Sequence, residues 1–556
     1  MPFLDADESW NLYCKVFGKT EFLLLFEQIG RDIVKKCKGL PLAITIVASL
    51  LSKTKEDEEK WKNVAKSIMG DSSDACSRIL YLSYNQLPHH LKACFLYFGI
   101  FKEDYEISVK ELVRLWAAEG FLSTVKHVDL EKVAMDCLQD LVDRSLVIVS
   151  KHSYNGEMKR IKIHDLLRDL CLREARLEKF LNVDGVKKHC RWVSHTPRSL
   201  HNKDECFHKP HSFHLFHLYY VEHLFSHMKL LRVLDMRNGV LDVRNGIWDG
   251  VIDLHVFANF IHLRFLALSI YRPSDIKFLE HWNNMQTFIV SGSDVILYSF
   301  EPSGIWKMPL LRNICIGRIC LLETPSVVYR NLENISWLDI MLCTKDLFTM
   351  IPNLKTLGVD GGYNNNSLDC FYNFVHLEQL EKLSIKRWAG VKLVMCSIPL
   401  ATSLPNLKKL SFLESNLQWH ELSAISMLPN LEVLKLIDAC RGPKWETSEG
   451  GFYRLKRLVI EETNLRCWNA VGEDFPMLEC LEISECYWLK EIPSGFADIT
   501  TLALIQLSKC SDSLVASAKW IQEEQNNNYG NDALLVRFEN IKTYGKWFEE
   551  EEISDE

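Results

Sequence analysis

Glycine, lysine and threonine stand together once in this chain of 556 residues, at Gly18-Lys19-Thr20, where they could close a phosphate-binding loop. Such a loop needs Gly-x-x-x-x-Gly-Lys-Ser/Thr: backbone amides cradle the phosphates, Lys neutralises them and the hydroxyl holds Mg²⁺. Tyr13 occupies the place of the first glycine and no apolar strand leads in, so the tripeptide reads as a loop between helices. No Ser, His and Asp fall in a hydrolase order, no Cys/His set has metal spacing, and no paired carboxylates share a recognisable frame. His214 and His217 read as loop residues. An enzyme is not expected. Lys159, Arg160, Lys162, Arg168, Arg173 and Arg176 could meet a phosphate backbone. They form a modest cluster in a chain of net charge −8, so nucleic acid is not an expected partner.

The elements that carry these residues fall into two styles. At 556 residues, 47% hydrophobic and 25% charged, the chain is long enough for several domains or a repeat array. Its best apolar run, Leu40 to Leu51, is 12 residues, while crossing a bilayer takes about 20. No transmembrane segment and no positively charged leader are read, and 18 cysteines without a common spacing fit reduced thiols. The expected place is the cytoplasm, free or peripheral to a membrane. From Met1 to about Arg176 the period is helical. Pro41 suits a helix start. Ser108-Val-Lys-Glu111 reads as a capping box and Gly120 as the end of that helix. A third helix runs from about Asp129 to Asp143, and strands 145–150 and 159–164 flank Asn155-Gly156, a strong hairpin signal. Asp165 then caps a closing helix. Three helices, a hairpin and a closing helix describe a winged-helix module.

From Leu231 the style changes. A phrase Leu-x-x-Leu-x-Leu, or a close variant, recurs twelve times up to Leu507, with starts 19 to 32 residues apart. Leucine-rich repeats have a period of about 20–29 residues, with one strand per repeat lining a horseshoe. One copy cannot bury its own apolar face, so stacking makes the core. The expected class is multidomain α+β: a helical domain (1–72), a winged-helix domain (73–180), a leucine-rich-repeat solenoid (181–510), and a carboxy-terminal cap with an acidic tail (511–556). Between the buried leucines, alternate residues face out of each strand and tile the concave side. Candidate partner contacts there are Phe265, Trp337, Lys382, Lys386, Lys435, Arg457 and Glu461, with Val233, Asp235 and Arg237 facing the same way. For Phe265 and Trp337 two readings stand, exposed anchors or rings folded back on neighbours.

Three ordered motifs carry a family resemblance: Gly39-Leu40-Pro41-Leu42-Ala43, Cys94-Phe95-Leu96-Tyr97-Phe98-Gly99-Ile100-Phe101-Lys102-Glu103-Asp104-Tyr105, and Ile163-His164-Asp165. They resemble the second half of the nucleotide switch (NB-ARC) of plant intracellular immune receptors, the NLR disease resistance proteins of the coiled-coil class. Trp116-Ala117-Ala118-Glu119-Gly120-Phe121 and the repeat register look most like the late blight resistance group. The resemblance implies that Pro41 derives from an adenine contact and His164 from a phosphate contact of the ADP-bound state, with Asp165 fixing the turn. Ile163 replaces the usual Met, and Lys102 a usual Pro. Both residue sets also suit plain structural roles, a helix start and a strand end with a cap.

The resemblance further implies that the phosphate-binding half and the signalling coiled coil are missing, as in an amino-terminally truncated receptor. ADP or ATP is the full-length family's ligand, and none is expected for this chain. Its repeats are expected to recognise a pathogen effector or a guarded host protein, with intact NLR relatives as further partners. Two alternatives are a repeat-bearing substrate adaptor of a ubiquitin ligase, and a non-signalling truncated regulator of intact receptors.

Overall fold

The computed structural model describes residues 3–19, 21–53, 57–68, 75–122, 130–153, 156–182, 190–195, 210–215, 228–237, 251–253, 259–269, 275–277, 282–291, 296–297, 305–319, 324–361, 370–387, 404–447 and 450–539. His217, Asn155 and the acidic tail lie outside them. The chain divides into two compact units, residues 1–240 with 259–266, and residues 241–258 with 267–556.

The first unit opens with helices α1 (Ala6–Phe17), α2 (Leu24–Lys36), α3 (Pro41–Ser52) and α4 (Glu58–Ser67). Asp5 and Glu8 form a reciprocal capping box at the start of α1. Gly18 ends that helix in the left-handed region, φ 80°, so Gly18-Lys19 of the tripeptide is a helix stop. Helix α3 buries eight of its 12 residues. Trp61 of α4 closes an aromatic cluster with Phe17, Phe22 and Phe26, at centroid distances of 5.7, 6.3 and 5.1 Å.

After α5 (Ala75–Asn85) comes the winged helix: α6 (His89–Leu96), a 3-10 turn Tyr97–Ile100, β1 (Ile107–Ser108), α7 (Val109–Glu119), α8 (Leu130–Asp143), β2 (Ile148–His152), β3 (Met158–Lys162) and α9 (Asp165–Leu177). The expected hairpin gains a third member, since β1 pairs antiparallel with β3 in the order β1-β3-β2. Two local expectations fail. Ser108 makes no side-chain cap to α7, and the Glu111 carboxylate, the other half of the box, is instead in an ion pair with Arg237 at 2.6 Å. The cap of α9 is His164 rather than Asp165: its Nδ1 accepts the Leu166 N–H at 3.3 Å, while Asp165 already lies in the helix. Parallel stacking begins within this unit, through β4 (Leu181–Asn182), β5 (Trp192–His195), β6 (Ser212–Leu215) and β7 (Val233–Met236).

In the second unit parallel strands follow one another from Thr287–Ser291 through Asn313–Ile316, Asn334–Asp339, Thr356–Asp360, Lys382–Lys386, Lys409–Leu413, Val433–Ile437, Arg457–Glu461, Cys480–Ser484 and Leu504–Ser508 to Leu535–Phe538. The last strand and the helix Asp512–Tyr529 lie in the expected cap, so the sheet runs on beyond the final leucine phrase. Every apolar residue of the twelve phrases is at most 2% exposed.

One copy is out of register. Ile335 pairs with Leu357, not with Leu354, and a bulge between Ile335 and Trp337 brings Trp337 opposite Gly358. The first leucine of that repeat is Leu332, which is fully buried.

The repeat is also longer than its leucines. Three residues before each first leucine stands another buried apolar residue, among them Ile351, Leu377, Leu404, Leu428, Phe452, Phe475 and Ile499. Its carbonyl accepts the N–H of that leucine, as in Leu380 to Leu377 and Leu478 to Phe475, at 3.0 and 3.1 Å. Asparagines one residue before the leucine tie neighbouring coils: Asn353, Asn406 and Asn430 donate to the carbonyls of Arg330, Glu378 and Pro405 at 2.9, 2.8 and 2.7 Å. The residue just after the leucine alternates in sign: Arg312, Glu333, Lys355, Glu381, Lys408, Glu432, Lys456, Glu479. Adjacent members pair, with Lys355–Glu333, Lys408–Glu381 and Lys456–Glu479 at 3.5, 3.5 and 3.8 Å. Farther along, Trp419, Trp445 and Trp468 stack at centroid separations of 4.9 and 4.9 Å under Phe475 and Phe496.

Candidate functional site

Pro41 is the first residue of α3, and Gly39 before it has φ 70°. A Cβ on Gly39 would lie 2.2 Å from the Leu4 carbonyl oxygen, so only glycine fits this close crossing. His164 is half-buried and spends Nδ1 on capping α9, and Asp165 is exposed. Arg168 of the same helix donates to the Phe101 carbonyl at 2.9 Å, fixing α9 against the Phe95–Phe101 motif. Each of these residues is accounted for by its own helix. Pro41 and His164 thus stand at the starts of two different helices.

Three cations of the basic cluster have local partners. Lys162 lies 3.5 Å from Glu106, Arg160 donates to the Glu106 carbonyl at 3.4 Å, and Arg173 meets Glu174 at 3.0 Å. No group of three or more His, Cys, Asp or Glu among the described residues could hold a metal. No helix there is long and apolar enough to cross a membrane.

A buried polar network in the first unit escaped the sequence reading. Tyr97, of the Cys94–Tyr105 motif, shares its hydroxyl with Ser212 Oγ and His214 Nε2, each at 3.1 Å. Ser212 donates to Glu119, which Arg191 approaches at 3.4 Å, while Arg232 donates to the Glu119 carbonyl at 2.8 Å. On the other side His214 lies 4.0 Å from Asp235, and Arg237 bridges Asp235 and Glu111, each at 2.6 Å. Burial lowers the His214 imidazole to about 4, only partly opposed by Asp235, so it is neutral at physiological pH. Burial also raises the Glu119 and Glu111 carboxyls. Burial works to raise Asp235 too, but the Arg237 guanidinium outweighs it and holds that carboxyl below its ordinary value. Glu119 in Trp-Ala-Ala-Glu-Gly and Asp235 inside a leucine phrase were the available signals, acids set among apolar neighbours.

Of the predicted partner contacts, Phe265 is overturned. It is fully buried, with the Arg237 guanidinium 5.9 Å from its ring. Val233 and Asp235 are buried as well, since the strands on which they stand pack against α7 within the same unit. In the second unit Trp337, Lys382, Lys386, Lys435, Arg457 and Glu461 are all half-buried. Trp337 folds back: its Cε3 is 3.2 Å from where a Gly358 Cβ would stand, and Lys386 Nζ lies 4.4 Å from its ring centroid. Lys386 also reaches Asp360 at 3.4 Å, beside Arg387, whose Nε donates to Asp360 at 3.0 Å. Burial depresses the Lys386 ammonium, with Asp360 pulling the other way. Arg457 pairs with Glu482. Lys382 and Lys409 stand in register on adjacent strands, as do Ser411 and Lys435.

The described architecture is therefore a winged helix together with parallel leucine-rich repeats. A family profile described as the disease resistance protein winged helix domain matches residues 100–171. The putative late blight resistance protein homolog R1B-16 of Solanum demissum is 32% identical over 98% of this chain, and the late blight resistance protein R1-A of the same species 31% over 96%. Among solved structures, the plant peptide hormone receptor RGFR1 in complex with RGF2 aligns over 63% of this chain and 56% of its own, at 14% identity and a TM-score of 0.33. These matches place the chain in the family of NLR-type disease resistance proteins, beside the late blight resistance group. It spans about 44% of the length of the first of these relatives and 43% of the second.

Proposed function

We propose that this chain is the recognition and restraint portion of an intracellular plant immune receptor. Its repeats would engage a pathogen effector or a guarded host protein, and its winged helix would couple that engagement to an ADP/ATP switch. The observation that carries this reading is the strand face in the second unit, where outward side chains of successive repeats stand in register from Thr356 to Glu461. Parallel pairing fixes their spacing, so a set of polar groups is presented with little ordering left to do on binding.

The test is proximity labelling in leaves, comparing the chain with a Trp337→Ala/Lys382→Ala/Lys435→Ala/Arg457→Ala variant of unchanged circular dichroism. Loss of a defined set of neighbours supports the reading, and an unchanged set overturns it. On the nucleotide side, His164 is committed to its helix cap and Pro41 to its helix start. The chain alone should therefore take up no ADP, and His164→Ala should change nothing in a calorimetric titration. A micromolar or tighter site would refute this part.

A further inference from the structure

Charge is unevenly distributed over the strand face of the second unit. On the four strands Thr356–Asp360, Lys382–Lys386, Lys409–Leu413 and Val433–Ile437, the outward positions carry Lys382, Lys386, Lys409 and Lys435 against the single acid Asp360. On the next three strands, Arg457–Glu461, Cys480–Ser484 and Leu504–Ser508, they carry Arg457 against Glu461 and Glu482. The sign therefore reverses along the face, in a chain whose overall charge is −8. The basic half also has an apolar border. Leu413 and Ile437 stand in register at the ends of their strands, half-exposed and facing outward, next to the lysines.

Resting on the reading that this face is the recognition surface, we propose that its partner presents a short acidic segment with an apolar side chain. The carboxylates would lie over Lys382, Lys409 and Lys435, and the apolar group would cover Leu413 and Ile437. The rest of the face selects against other polyanions. Three strand spacings of about 4.8 Å make the basic half roughly 14 Å wide. Beyond it lie Glu461 and Glu482, with Glu462 and Glu485 at the ends of their strands, while Glu414 and Asp438, the latter paired with Arg441, close the ends of the basic strands. Burial raises the Glu462 carboxyl, and Glu485, Asp438 and Glu461 push it the same way, so this margin is negative in potential. A nucleic acid or an anionic membrane carries its charge continuously and would be repelled at that margin. A segment whose acidic stretch is brief, or is followed by basic residues, meets complementary charge throughout, which favours encounter and fixes its direction.

The experiment is fluorescence anisotropy on the full chain with three labelled probes of equal length: a Glu/Leu peptide whose short acidic stretch is followed by lysines, an alternating Lys/Leu peptide and single-stranded oligo-dT. The Glu/Leu peptide should bind with the highest affinity, weaken as salt rises, and lose at least tenfold in the Lys382→Glu/Lys409→Glu/Lys435→Glu variant. Leu413→Ser/Ile437→Ser should also weaken it while leaving circular dichroism unchanged. Equal or tighter binding of the Lys/Leu peptide or of oligo-dT, no binding of any probe, or indifference to the charge reversal would each overturn the proposal. A proximity-labelling set that still depends on this face would then show the recognition surface to be real and only its chemistry misassigned.

Discussion

Gly39 and Gly18 both adopt positive φ, and they separate two costs that a side chain can incur. Nothing lies within 4 Å of a Cβ on Gly18, whereas one on Gly39 meets the Leu4 backbone at 2.2 Å. Gly18→Ala should cost about 1 kcal/mol, the left-handed penalty alone, and Gly39→Ala well over about 2 kcal/mol in chemical denaturation. Equal losses would show that the α1–α3 crossing relaxes freely. His214 offers a second test. In the unfolded chain its imidazole takes up a proton below its ordinary 6.5, but in the fold only near about 4. Its contribution is therefore intact above pH 6.5 and is lost as the pH falls towards 4, by about 3 kcal/mol at most. Glu119 and Glu111 act oppositely, since their raised carboxyls take up protons earlier in the fold. The comparison that isolates the imidazole is wild type against His214→Gln, whose melting temperature should fall less steeply between pH 6.5 and 4. Parallel curves would remove His214 from the account. Residues of this kind were the least legible in the sequence. A buried Phe265 and a half-buried Lys382 occupy the same place in the leucine phrase, so the phrase alone does not tell one from the other.

Elements were legible wherever period and punctuation agreed. Gly120 stops α7 and Pro41 starts α3 as their chemistry dictates. The capping box at Ser108 was a sound local inference overruled by a partner 126 residues away, the Arg237 guanidinium. The repeat at 335 was misread for a different reason. A bulge adds one residue after Ile335 and puts Leu338 three residues on instead of two, although Leu332 keeps its usual spacing to Ile335. That bulge aims Trp337 across Gly358, which leads to a direct prediction. Gly358→Ala should displace the indole by a few tenths of an ångström, loosen Lys386 above it and shift the tryptophan emission, at a cost of about 1 kcal/mol. An unchanged spectrum would mean that the ring does not lie where the structure puts it. In the core of the same unit, Leu434→Ala or Leu458→Ala should cost about 2–5 kcal/mol, read as lost hydrogen-exchange protection over neighbouring repeats.

At the scale of the molecule, the repeat array was plain in the sequence because one apolar phrase recurs, and the winged helix because helical periods and the Asn155-Gly156 hairpin signal follow in order. The extra buried position, the asparagine ties and the sheet strand Leu535–Phe538 were missed, since none of them contains the phrase. The alternation from Arg312 to Glu479 was readable all along, as one residue in each repeat, yet it acquires meaning only when neighbouring coils are known to lie side by side. It sets a parity rule. Excising residues 407–430 would bring Glu381 beside Glu432, like against like, whereas excising 407–454 would bring Glu381 beside Lys456 and keep every neighbour opposite. Each exposed contact contributes only about 0.2–1 kcal/mol, so no single exchange is fatal, but the bias is felt at every junction. Genes that lengthen and shorten such arrays by unequal crossing-over would then keep their gains and losses more readily in twos than in ones.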